Sequence, residues 1–216
     1  MKLPLYDLAP RTENAWVAPN ATLVGEVLLR RWSSIWYNTV IRGDINKVEI
    51  GNFSSVGDHC VIHTVSSLPT GMSAEVKIGN NVVIGPHCTL LSCHIEDDAH
   101  IGEKSIICEG ARVEKGAMVA PGSVVPPGRL IPAKQLWAGN PVEYVKDLDI
   151  GEAWANYSLS YVHVSLGDIH RNEFTLWPSN YLLKESTAED VEPLTEDLEA
   201  AYTTKNLYRG MVKYYA

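Results

Sequence analysis

The sequence lacks any apolar run that approaches the roughly 20 residues of a membrane-spanning helix. It also lacks a CxxC pair. The four cysteines, Cys60, Cys88, Cys93 and Cys108, match no zinc framework and are interpreted as reduced, mostly buried thiols. Positive charge is scarce: the sequence has 18 Lys and Arg residues against 26 Asp and Glu residues, which gives a net charge of -8. This balance argues against nucleic acid as a partner.

The first residues, "MKLPLYDLAPRTEN", carry Asp7 and Glu13 and are not rich in arginine and serine. They predict neither a signal peptide nor a typical transit peptide, and they leave an organellar location open. With 216 residues and an ordinary share of hydrophobic residues, the composition indicates a globular domain with an appendage.

Aliphatic residues recur every six positions along most of the chain. A small residue often stands four places after each of them, and a glycine often follows directly, as at Gly51, Gly57 and Gly79. The series is expected to end where prolines and glycines accumulate after position 125. Its members are Val17, Leu23, Leu29, Ile35, Ile41, Ile50, Val56, Ile62, Ile78, Ile84, Leu90, Ile95, Ile101, Ile107, Val113, Val119 and Val125.

A period of six fits neither an α-helix, with 3.6 residues per turn, nor a plain strand, with a period of two. It is the hexapeptide pattern of a left-handed parallel β-helix, an all-β fold in which three short strands close one triangular coil. The aliphatic residues are expected to point inward and to stack into one continuous core. The glycines are expected to allow close backbone approach or a positive φ at the corners.

The pattern divides the chain into three parts. The predicted β-helix domain covers residues 1–141, with a loop insertion at 65–77 that is too long for a corner. Residues 142–174 are predicted to form an amphipathic helix, broken near Gly167, that lies along one face of the prism. Residues 175–216 are predicted to be an extended acidic tail that contacts a partner or is solvated.

Several motifs resemble the γ class of carbonic anhydrases: "NTVIRGDINKVEIGNFSSVGDHCVIHT", "IGNNVVIG", "GSVVPPG" and "LWAGNP". The resemblance runs from about Trp16 to Pro141. It implies a trimer with a metal at each subunit interface, held by three histidines from two chains. Arg42, Asp44 and Asp58 match residues that make ion pairs across that interface, where a planar guanidinium binds carboxylates bidentately.

The resemblance implies three metal ligands, and this sequence keeps one of them. His63 matches the first ligand, whereas Pro86 and Leu91 stand at the second and third positions and offer no donor atom. An active-site glutamine is replaced by Gly57, and an asparagine–tyrosine pair on the helix keeps its tyrosine as Tyr161. A catalytic zinc needs three protein ligands and an open position for water. The chain alone is therefore predicted to bind no metal and to be inactive, while zinc remains possible between its partner chains.

The stretch "IGPHCTLLSCH" holds two histidines, but neither stands at a ligand position. His87 comes one residue late, and one residue of slip on a strand turns a side chain to the other face. His94 falls next to a corner. Recruitment of His87, His59 or Cys88 would need a rebuilt site, so His63 is interpreted as a vestigial ligand.

These losses resemble the carbonic-anhydrase-like subunits of mitochondrial respiratory complex I, as do the segments "SSLPTG", "LLSC" and "VVPPGRLIP". The resemblance implies a structural subunit in a heterotrimer of γ-type chains on the matrix side of the membrane arm. The expected location is peripheral to the mitochondrial inner membrane. The expected partners are other γ-type chains and membrane-arm subunits of complex I.

Three alternatives remain open at the level of sequence. The first is an active zinc γ-carbonic anhydrase with displaced ligands. The second is a hexapeptide-repeat acyltransferase, and the third is a free homotrimer without catalysis. Stoichiometric zinc in a homotrimer distinguishes the first. No constellation for acyl transfer stands out in favour of the second. The third differs from the complex I prediction in its partners.

Overall fold

The computed structural model describes residues 1–3, 8–69, 71 and 73–173. The predicted tail, 175–216, lies outside the described residues. The elements are, in chain order, β1 (Lys2–Leu3), β2 (Arg11–Thr12), β3 (Trp16–Val17), β4 (Thr22–Leu29), β5 (Ser34–Ile35), β6 (Val40–Ile50), β7 (Ser55–Val56), β8 (Val61–His63), β9 (Val76–Ile78), β10 (Val83–Ile84), β11 (Thr89–Leu91), β12 (His94–Ile95), β13 (His100–Ile101), β14 (Ile106–Ile107), β15 (Arg112–Val113), β16 (Met118–Val119), β17 (Val124–Val125), β18 (Leu130–Ile131), β19 (Gln135–Ala138), β20 (Glu143–Asp147) and α1 (Ile150–Glu173).

Short parallel strands stack into three ladders of a parallel β-helix with about seven turns, so the predicted architecture is confirmed. The helix ladder contains β3, β5, β7, β10, β13, β16 and β19. The site ladder contains β1, the start of β4 and the start of β6, followed by β8, β11, β14 and β17. The outer ladder contains β2, the end of β4 and the end of β6, followed by β9, β12, β15 and β18.

The six-residue series forms the core of the prism. Each member is buried except Val17, which is partly exposed. The prediction that the series ends after Val125 is wrong, because Ile131 and Trp137 continue it at the same interval and are both buried. The prolines and glycines of this stretch occupy the corners and leave the inward positions apolar. Each buried aliphatic side chain contributes roughly 1.5–3 kcal/mol, and stacking joins these contributions into one core.

The glycines that follow the aliphatic residues serve close backbone approach. A Cβ at Gly51 would lie 2.3 Å from the carbonyl oxygen of Gly79 in the next coil, and Gly51 has no positive φ. Positive φ instead occurs at corner residues such as Asn38, His59 and His87. Asparagine and histidine tolerate this left-handed region better than most residues.

The insertion predicted at 65–77 is a loop whose described residues are tied to the prism. Val65 N–H donates to Ser92 Oγ over 2.8 Å, and Ser92 Oγ donates to the carbonyl of Ala74 over 2.6 Å. Leu68 is buried. Strand β9 then begins at Val76, so the loop ends slightly before the predicted boundary.

The helix predicted for 142–174 begins later than expected. Residues 143–147 form β20, which pairs antiparallel with β19, and α1 starts at Ile150. The Glu152 carboxylate accepts the Asp149 N–H over 3.0 Å, as in a capping box, which fixes this start. The predicted break near Gly167 is wrong: α1 is continuous, and Gly167 lets it approach Ser34 and Trp16. No helix in the described residues is long and apolar enough to cross a membrane.

Gly51→Ala is predicted to destabilise the protein by about 1–3 kcal/mol or more, because its Cβ meets the backbone of Gly79. Gly151→Ala is the matched control. A Cβ at position 151 in helix α1 meets open space, so alanine should leave stability unchanged or raise it by up to about 1 kcal/mol. Denaturant unfolding measures both. Equal effects of the two changes would contradict the close-approach account.

Candidate functional site

Strand register places the first and third implied ligand positions side by side on the site ladder. In the parallel pairing of β6, β8 and β11, Arg42 is the register partner of His63, and His63 is the partner of Leu91. The three side chains therefore form one column on consecutive coils. The His63 imidazole makes no hydrogen bond within the described residues. Its neighbour in the next coil is the alkyl side chain of Leu91, where the third implied metal ligand would have to stand.

The second implied position, Pro86, lies in the turn between β10 and β11. Gly57 packs against this turn, and a Cβ there would come within 2.8 Å of Pro86 N. Within the described residues, no group of three or more His, Cys, Asp or Glu side chains is arranged to hold a metal ion. Of the three implied ligand positions, this chain supplies a donor only at His63, whereas a catalytic zinc needs three protein ligands.

Arg42 and Asp44 form an ion pair within the chain at one end of this column. Arg42 Nε and Nη2 donate to Asp44 Oδ2 over 3.0 and 2.5 Å. Burial raises the pKa of the Asp44 carboxyl, but the hydrogen bond and charge of Arg42, with a contribution from His63, outweigh burial and lower the pKa overall. Asp44 Oδ1 is buried and accepts no hydrogen bond from the described residues. One carboxylate oxygen is therefore open to a further donor.

Asp58 has a structural contact of its own in the coil corner. Its Oδ1 accepts the backbone N–H of Tyr37 over 2.9 Å, which ties one coil to the previous one. Asp58 is partly exposed. The side chain thus holds the corner that precedes β8 and keeps one oxygen available.

The two histidines of "IGPHCTLLSCH" lie apart from His63. His87 does not stand on a strand, so the predicted reversal of its face is wrong: it occupies the turn after Pro86 with φ of +60°. Its ring stacks on the ring of His59 in the preceding coil. His94 begins β12 on the outer ladder, between its register partners Lys77 and Arg112. All four cysteines are free, and three are buried, as predicted.

Helix α1 docks on the helix ladder through histidines that the sequence patterns did not single out. His170 Nδ1 shares a hydrogen bond with Tyr37 Oη at 2.7 Å, and His163 Nδ1 shares one with Ser55 Oγ at 3.1 Å. Trp36 packs edge-on against both imidazoles. The clue in the sequence is the seven-residue spacing of the two histidines, which places them on one face of the helix.

Helix α1 also carries an adjacent asparagine and tyrosine, Asn156 and Tyr157; the expectation that the family's asparagine–tyrosine pair is half present, as Tyr161 after Ser160, stays a prediction. Asn156 and Tyr157 lie one turn earlier, and Tyr157 Oη is 2.7 Å from Tyr161 Oη. Asn156 is buried, and its Nδ2 has no hydrogen-bond partner in the described residues.

Comparisons with known proteins agree with the fold and the motifs. No protein-family model matches the chain. "Gamma carbonic anhydrase-like 2, mitochondrial" from Arabidopsis thaliana is 41% identical over 181 residues, which cover 83% of this chain and 71% of the relative. "Gamma carbonic anhydrase 3, mitochondrial" from the same plant is 37% identical over 193 residues, covering 87% and 75%. The crystal structure of a hexapeptide transferase family protein from Anaplasma phagocytophilum matches with a TM-score of 0.72 at 30% identity, covering 77% of this chain and 96% of that one.

The stacked coils and the inward aliphatic series define a hexapeptide-repeat β-helix protein. Within that class, the chain belongs to the γ carbonic anhydrase family, as the motifs predicted. Its relatives include mitochondrial proteins named as carbonic anhydrase-like.

Stability is predicted to fall as pH drops from about 6.5 to about 4, because His100 lies beneath α1. Burial, and secondarily the charge of His163, lower the pKa of His100 to about 4. Between this value and the ordinary pKa near 6.5, the unfolded state binds more protons than the folded state. This difference in pKa corresponds to at most about 3–4 kcal/mol of unfolding free energy. Unfolding measured at several pH values should show a weaker dependence in His100→Asn, and identical slopes would refute the assignment.

Proposed function

We propose that this chain is a non-catalytic structural subunit of a mitochondrial γ-carbonic-anhydrase-type heterotrimer. The observation that supports this proposal most directly is that Leu91 is the register partner of His63, with Pro86 at the neighbouring corner. Neither leucine nor proline can ligate zinc, and without a metal no bound water has its pKa brought near 7. CO2 hydration therefore has no nucleophile at the family's site in this chain.

The assembly proposed for the chain is the membrane arm of respiratory complex I, on the matrix side of the inner membrane. The relatives named mitochondrial and carbonic anhydrase-like support a mitochondrial location. The choice of complex I as the assembly follows from the resemblance of the motifs to its carbonic-anhydrase-like subunits. In such a trimer any zinc would lie between the two partner chains. The rigid prism would serve as a scaffold, since its core depends on stacked coils and not on a metal.

The trimer contact is proposed to use Arg42, Asp44 and Asp58. The intrachain pair occupies one oxygen of Asp44 and leaves buried Oδ1 without a donor. A guanidinium or amide from a neighbouring chain would satisfy that oxygen, because a buried unpaired carboxylate oxygen is costly. Asp58 Oδ2 could accept a second donor while Oδ1 holds Tyr37.

Zinc content and CO2 hydration test the inactive assignment. The unmodified chain should retain no stoichiometric zinc after dialysis against a weak chelator and should not accelerate hydration. Pro86→His combined with Leu91→His restores the donor set and should raise zinc affinity at least about tenfold through chelation. Pro86→His combined with Thr89→His is the control, because Thr89 pairs with Val61 and not with His63.

The outcome that contradicts the proposal is tightly held zinc with hydration activity in the unmodified chain. That result would favour the alternative of an active γ-carbonic anhydrase with displaced ligands. A metal-free homotrimer found in solution, without respiratory subunits, would favour the other alternative, a free non-catalytic trimer.

Arg42→Ala is predicted to weaken the assembly, because the proposed contact would bury the half-exposed Arg42–Asp44 pair, and truncating one member of a charge pair buried at an interface costs about 2–5 kcal/mol. The measurement is native mass spectrometry of the recombinant or purified assembly. Arg112→Ala is the matched control, since Arg112 pairs with Glu96 on the outer ladder. An unchanged assembly in the Arg42 variant would exclude this residue from the interface.

A further inference from the structure

Two exposed imidazoles stack on consecutive coils at the corner between the helix ladder and the site ladder. The rings of His59 and His87 have centroids 5.0 Å apart and are parallel within 2°. We propose that this pair, the corner pair, binds a borderline divalent transition metal such as Zn²⁺, Ni²⁺ or Cu²⁺. The corner pair adjoins Asp58 and Pro86 in the chain, but it contains none of the implied ligand positions and none of the residues proposed for the trimer contact.

The backbone holds the corner pair in place. His59 N–H donates to the carbonyl of Tyr37 over 2.9 Å, and His87 N–H donates to the carbonyl of Asp58 over 2.8 Å. The φ angles of the two histidines are +54° and +60°. Both side chains therefore leave equivalent corners of adjacent coils in the same direction. A metal would not have to order the backbone before binding, which lowers the entropic cost.

The ring nitrogens of the pair are largely uncommitted. His59 Nε2 has one contact, with Asn38 Nδ2 at 3.4 Å, near the limit of a hydrogen bond. The imidazole of His87 makes no hydrogen bond within the described residues. Both residues are exposed, so an ion can reach them from solvent. Free imidazole nitrogens are good ligands for zinc, copper and nickel.

The spacing suits a shared ion after a small movement. Two imidazole nitrogens bound to one tetrahedral metal at about 2.0–2.1 Å lie roughly 3.4 Å apart. The parallel rings must tilt toward each other to reach this distance, and as exposed side chains they can rotate without disturbing the core. Water would complete the coordination. A site with two protein ligands exchanges its metal more readily than a site with three.

Charges of both signs surround the corner pair, with an acidic excess that favours a cation. Asp58 lies beside His59 in the chain, and Glu103 and Lys104 are exposed at the same corner one coil beyond His87, where the Lys104 N–H donates to the carbonyl of Pro86. Imidazole binds metal in its neutral form, so binding should weaken in acid.

Titration calorimetry of the full chain with Ni²⁺ and with Zn²⁺ tests the corner pair. His59→Asn and His87→Asn are suitable variants, because Asn38 already occupies the same corner position with φ of +56°. Each should weaken binding at least about tenfold, since either removes the chelate. The double variant should add only a small further loss to either single change, because each single variant has already lost the chelate and keeps one imidazole. Histidine NMR signals of the unmodified chain should show both residues perturbed by Zn²⁺ together.

His94→Asn and His63→Asn are the controls, because neither residue contacts the corner pair, and neither change should alter the affinity. Loss of binding in the His63 variant alone would overturn the inference and would also count against the metal-free site. Equal binding in all variants would overturn it as well and would leave the stack as a packing feature. Loss in the corner variants alone supports the inference and leaves the proposed function intact.

Discussion

In-register stacking of parallel coils is the constraint on which the rest of the structure depends. Each inward aliphatic residue lies directly over its counterpart, as Ile62 lies next to Leu90, and the outward residues follow the same register. A side chain at one position therefore always meets the side chain one coil away. This places Leu91 beside His63 and His87 beside His59. The scaffold can lose a ligand without losing stability, because the core lies on the opposite side of each strand.

The sequence predicted the β-helix well because a period of six leaves little choice of fold. The resemblance also predicted that Pro86 and Leu91 deplete two of three ligand positions; this stays a prediction, and the structure adds that Leu91 is the register partner of His63. The sequence did not predict the continuation of the core through Ile131 and Trp137, because prolines at the corners resemble a terminator. Nor did it predict β20, because residues 143–147 are exposed and have no period of their own.

Contacts between distant parts of the chain could not be read from spacing. The docking of His163 on Ser55 depends on where α1 lies across the helix ladder, and no local pattern contains that information. The stack of His59 on His87 was readable in principle, because each stands three residues before a core member, Ile62 and Leu90. The loop between β8 and β9 separates these residues by 28 positions and hides the equivalence.

The depleted ligand positions belong to one chain, whereas the proposed role as a scaffold depends on the chains that surround it. The most direct measurement is the native mass and composition of the assembly that holds this chain, taken from gently solubilised source membranes. The account predicts co-migration with a respiratory complex beside other γ-type chains, with any zinc at sites built by those partners. A free homotrimer carrying stoichiometric zinc at its interfaces would contradict it.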